Sequence, residues 1–146
     1  MCSSDLVEAE SRKIGVLQVP TTLLLHMRAS PCLRLEAPLD ERVQFLLGDY
    51  AHMLRDPTWL KERLRKLGGL QPNEVIDRWC RQIDEGEWQT LVTDLLINHY
   101  DPLYLRSMTR SYPTLDESPV VRPQSLSPEA ITALAAELRQ RSFSRT

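Results

Sequence analysis

Little in this sequence points to a membrane, a secreted scaffold or a metal. Runs such as Leu23-Leu24-Leu25 fall far short of the ~18 apolar residues that a spanning helix needs. Only three cysteines occur, Cys2, Cys32 and Cys80, and none has a CxxC partner or a zinc-like spacing to histidine. His26, His52 and His99 form no HExxH motif, so no metal site is expected. Met1 to Leu6 lacks the basic start and apolar centre of a signal peptide, which gives a cytoplasmic expectation. Neither sign of charge dominates: 18 basic and 20 acidic residues leave a net charge of −2, and bulk electrostatics draws the chain to no membrane and no DNA. Glycine is scarce, and no G-x-x-x-x-G-K-[ST] phosphate loop is present among the five.

What is there describes a globular chain. With 146 residues and 42% hydrophobic content, one core is expected rather than two. Strand signals are few and early. Leu6-Val7 runs into acidic residues, and Cys32 to Glu36 alternates apolar with polar, as a short strand does. Between them Pro20 precedes a helix over Thr21 to Ala29. A strand, helix, strand order is the unit of an α/β sheet, yet two strands do not make a stable open sheet.

From Pro38 the apolar spacing becomes helical. Leu39, Val43, Leu46, Tyr50 and Met53 predict one helix from about Pro38 to Leu54. Asp56-Pro57 opens a second helix, with Leu60, Leu64 and Leu67 on one stripe, stopped by Gly68-Gly69. A third carries Val75, Ile76, Trp79 and Ile83 to Gly86, and a fourth carries Trp88, Leu91, Leu95 and Leu96 to about His99. Asp101-Pro102 is read as a break, because a residue before proline avoids helical geometry. A proline-rich loop follows, with one strand at Val120-Val121, and Ser127-Pro128-Glu129 starts a last helix over Ile131 to Arg141. The fold class is mainly α with a small α/β remnant.

Three segments carry chemistry, each with a bland counterpart. Glu8-Ala9-Glu10-Ser11-Arg12 sets carboxylates at a strand end, where α/β sheets bind ligands; a solvated charged turn has the same composition. Asn98-His99-Tyr100-Asp101-Pro102-Leu103-Tyr104, with Arg106 and Arg110, offers tyrosine for stacking and arginine for phosphate, or a helix cap with packed aromatics. Arg55, Lys61, Arg63, Arg65 and Lys66 form a basic run that suits an RNA backbone or a solvated helix face.

The first two segments also carry a family resemblance. Val7-Glu8-Ala9-Glu10-Ser11-Arg12-Lys13-Ile14-Gly15 resembles the acidic E-x-E-S-R-x-I-G segment of the tRNA 2-selenouridine synthases, and Tyr100-Asp101-Pro102-Leu103-Tyr104 resembles their later Y-D-P-x-Y segment. The resemblance covers roughly residues 7 to 140. It implies an enzyme with a cysteine-bearing rhodanese-like domain and a P-loop domain, neither of whose signatures is in this chain. The expectation is therefore a C-terminal fragment, inactive alone. Residues 1–6 would be a non-native leader, 7–37 the end of the P-loop α/β domain, 38–112 a helical region, and 113–146 a proline-rich loop and final helix.

The family's reaction replaces sulfur by selenium in 2-thiouridine at the tRNA wobble position, with selenophosphate as donor and geranyl diphosphate feeding a geranylated intermediate. By that likeness Glu8, Glu10, Ser11 and Arg12, with Tyr100, Asp101 and Tyr104, are candidates for the substrate or phosphate pocket. Lys61, Arg65, Lys66, Arg106 and Arg110 are candidates for tRNA contact, with Lys61, Arg65 and Lys66 expected on the open side of their helix. No cofactor is expected in the fragment, and no catalytic residue is assigned. A reading of a different class is a self-contained helical interaction module whose leucine stripes bind a partner.

Overall fold

The computed structural model describes residues 6–9 and 12–143. It is mainly helical with a small parallel pair of strands, as the fold-class reading expected. Two units separate: one holds residues up to Glu36 with Tyr104–Pro123 and Ser127 onward, the other Ala37–Leu103 with Gln124–Leu126.

In the first unit the expected strand at Leu6-Val7 does not form; both residues are exposed and irregular. A hairpin forms instead, with Lys13–Ile14 (β1) antiparallel to Leu17–Gln18 (β2). Its two-residue loop needs positive φ at its first position, and Gly15 supplies it at +61°. A tight local reversal wins because a strand at Leu6 would need a partner from a distant part of the chain. Helix α1, Thr21–Ala29, follows Pro20, whose carbonyl accepts from Leu24 N at 3.0 Å. Leu24 is buried, while Leu23 and Leu25 stay exposed.

The expected strand at Cys32 to Glu36 shortens to Arg34–Leu35 (β3), which pairs in parallel with Val120–Val121 (β4). Arg34 N donates to Pro119 O at 2.9 Å and Glu36 N to Val121 O at 3.0 Å, so the ladder ends at Glu36. The core of this unit is Met108, Tyr112 and Leu115, with Ala9 and Cys32 packed against it. The last helix, α7 (Pro128–Phe143), is capped by Ser127, whose Oγ accepts from Ala130 N at 3.2 Å.

The second unit is built from four helices. Helix α2 covers Leu39–Asp49, not the whole stripe to Leu54; Gly48 weakens its last turn, and Met53–Arg55 forms a separate 3₁₀ turn. In α3 (Pro57–Arg65) the Asp56 carboxylate accepts from Trp59 N at 2.9 Å and Pro57 fills the first turn. Helix α4 (Asn73–Asp84) ends before Gly86, at φ +72°, and α5 spans Trp88–Leu95. Helix α4 packs on both α3 and α5, and α2 packs on α5. Leu64, Ile76, Trp79, Cys80, Ile83 and Leu91 form the core, with Trp79 wholly buried. At about 1.5–3 kcal/mol for each large side chain fully withdrawn from water, this cluster dominates the stability of the unit.

The break expected at Asp101-Pro102 does not occur. After α5, Leu96–Tyr100 makes one wide π turn, and α6 continues over Asp101–Ser111. The wider turn, in which Asp101 N bonds back to Leu96 O, carries the helix past a proline that an ordinary α turn would not pass unstrained.

Candidate functional site

The wide turn is where polar groups gather in the second unit. Pro102 has no N–H to give the Asn98 carbonyl four residues earlier. Gln71, after α3 and its 3₁₀ extension, supplies a donor instead: its Nε2 is 2.9 Å from Asn98 O and 3.2 Å from His99 Nδ1. His99 is 5% exposed, and burial holds its imidazole below the ordinary histidine range, so it is neutral near pH 7. Its ring meets Trp79 edge-on, with centroids 6.2 Å apart, and Tyr100 at 5.1 Å. Tyr100 itself is 58% exposed.

Ion pairs brace the turn on both sides. Asp101 accepts from both terminal nitrogens of Arg42, Nη2 at 2.5 and Nη1 at 2.9 Å, and this hydrogen bonding raises the Arg42 pKa above its ordinary value. Asp94 accepts from Arg78 Nε at 2.8 Å and from the side-chain amides of Gln82 and Asn98. Asp101 is thus engaged by Arg42 of α2, with its side chain still 42% exposed.

The basic run of α3 divides. Lys61 donates to Asp84 at 2.6 Å and its side chain is mostly covered, against the expectation of an open position; α4 lies beside α3 and brings Asp84 to it. Arg63 lies over the Trp59 ring, 5.0 Å from its centroid. Arg65 and Lys66 are exposed.

In the first unit, the acidic segment is tied to the end of α6. Tyr112 donates its hydroxyl to Ala9 O at 3.2 Å, and burial, ahead of the nearby Cys32 and Glu8, raises the Tyr112 pKa. Glu8 and Arg12 are exposed; Glu10, Ser11 and, of the leader expected over residues 1–6, residues 1–5 lie outside the described residues. Tyr104, Arg106 and Arg110 are exposed along α6. At the C-terminal end of the parallel strands Glu36 pairs with Arg34 and, at 2.8 Å, with Arg122. Among the described residues no cluster of His, Cys, Asp or Glu could hold a metal ion, and no helix is long and apolar enough to cross a membrane.

Comparison with known proteins agrees with the family resemblance. A family model described as the tRNA 2-selenouridine synthase AAA domain matches residues 3–68. A tRNA 2-selenouridine synthase of Cupriavidus necator is 51% identical over 125 residues, covering 68% of this chain and 34% of the relative. The chain belongs to the tRNA 2-selenouridine synthase family. The synthase of Bdellovibrio bacteriovorus is 28% identical over 145 residues, covering 75% of this chain and 38% of its own, and that of Marinobacter nauticus is 29% identical over 133 residues, covering 71% and 35%. The chain therefore spans about a third of the length of the curated synthases it matches. No solved structure matches it.

Sequence reasoning singled out Tyr100 and Asp101 at this turn but not their surroundings Gln71 and Arg42, nor Tyr112 in the other unit. Gln71 and Arg42 carry no local signal, since their partners lie far along the chain. Pro102 was the available clue, because a proline inside helical spacing leaves a carbonyl in need of a donor.

Proposed function

We propose that this chain is the part of a tRNA 2-selenouridine synthase that follows its phosphate loop, and that it supplies tRNA-contacting surface to an enzyme whose reaction requires the rest of the protein. The observation that carries this is the 51% identity over 125 residues to a synthase of that name. In the complete enzyme, selenium from selenophosphate would replace the sulfur of wobble-position 2-thiouridine, with geranyl diphosphate as a second substrate. The chain has no glycine-rich run of backbone amides to cradle a diphosphate, so we assign both donors to the phosphate-loop part and expect the chain to be inactive alone. Glu8, Glu10, Ser11 and Arg12 would border the pocket that part completes.

For tRNA, exposed Arg65 and Lys66 suit phosphates, as do Arg106 and Arg110 on α6, and the exposed rings of Tyr100 and Tyr104 suit stacking on bases. Lys61, held by Asp84, contributes less. The test is tRNA binding by the chain across a salt series. Arg65→Ala with Lys66→Ala should weaken binding and flatten the dependence of log Kd on log salt by about one unit for each phosphate no longer neutralised. Tyr100→Ala should weaken it without altering that slope. An unchanged affinity and slope in the double variant would assign RNA recognition elsewhere in the enzyme.

A further inference from the structure

The wide turn at Leu96–Tyr100 is held by a side chain from outside it. A carbonyl only accepts, so the end of the Gln71 amide that meets Asn98 O must be its NH₂. That nitrogen has a second hydrogen, and 3.2 Å away lies His99 Nδ1, which must then be the accepting atom, with the ring proton on Nε2. A neutral imidazole is required for this role, and burial of His99 favours one. The fixed ring stands between the buried Trp79 and the exposed Tyr100, meeting each edge-on. Glutamine at position 71 thereby links the proline-imposed turn to the orientation of an exposed aromatic.

We propose that Gln71 is a positioning residue: its amide replaces the donor that Pro102 lacks, fixes His99 as an acceptor, and so sets the Tyr100 ring for stacking on a tRNA base. The stacking rests on the reading in the preceding subsection; the hold on His99 does not. Lysine or arginine at position 71 could reach the same carbonyl but would place a charge against the imidazole. An ionised glutamate would keep the shape and donate nothing to either partner.

The experiment combines ¹⁵N NMR of the imidazoles with tRNA affinity, on the 146-residue chain. The native chain should show His99 as the Nε2–H tautomer. Gln71→Ala should abolish that preference and weaken tRNA binding by about fivefold, the equivalent of one hydrogen bond of about 1 kcal/mol. Gln71→Glu, although isosteric, should do the same above the carboxylate pKa, which separates donation from packing. A native-like His99 tautomer in Gln71→Ala or Gln71→Glu overturns the positioning role. A tRNA affinity indifferent to Tyr100→Ala, with the tautomer changes as expected, overturns the stacking instead.

Discussion

Asp101→Asn tests whether the aspartate of the Tyr-Asp-Pro segment serves the fold or a ligand. The substitution keeps the shape and removes the charge that both terminal Arg42 nitrogens meet. The pair is bidentate, which favours it, but the two side chains remain 32% and 42% exposed, so water and salt screen it. Hydrogen bonds to charged groups contribute about 1.5–3 kcal/mol when well sheltered and exposed pairs about 0.2–1 kcal/mol, which places this one near ~1 kcal/mol. A cycle of Asp101→Asn, Arg42→Leu and the double variant should give that coupling in urea unfolding, with a fall in Tm of roughly 4–8 °C for each kcal/mol of stability removed from a unit of this size. Trp59, Trp79 and Trp88 all belong to the unit that contains the pair, so tryptophan fluorescence reads the right transition. High salt should shrink the coupling. Additive single variants would refute the assignment, above all if Asp101→Asn weakened tRNA binding while leaving the unfolding midpoint in place.

Leu91→Ala, at a position 1% exposed in the α4–α5 core, should cost about 2–5 kcal/mol, read as a lower urea midpoint at unchanged m. His99 makes stability depend on pH. Its folded pKa lies below the unfolded value of about 6.5, so the unfolded chain binds the extra proton more readily; its contribution is complete above that pH and is lost as pH falls towards the folded value. Urea midpoints measured downward from neutrality should fall, and His99→Gln should remove part of that fall.

Local rules made much of this chain legible. Helix α1 falls on the span its proline start and apolar spacing imply, Asp56 caps α3 as an aspartate before proline should, and the apolar stripes of α3, α4 and α5 face one core. The two segments that carry the family resemblance were equally visible, because a motif is a property of order alone. Tertiary structure decided the rest. Arg34–Leu35 becomes a strand only because Val120–Val121 arrives beside it, and Leu6-Val7 finds no such partner among the described residues. Lys61 is committed to Asp84 because α4 packs against α3, a fact that charge counting on one helix does not contain. Pro102 reads locally as a helix break, yet a wide turn absorbs the missing donor and Gln71, from another segment, answers the exposed carbonyl. Periodicity and caps act within a few residues, whereas hydrogen-bond satisfaction and ion pairing depend on what the folded chain brings within about 3 Å.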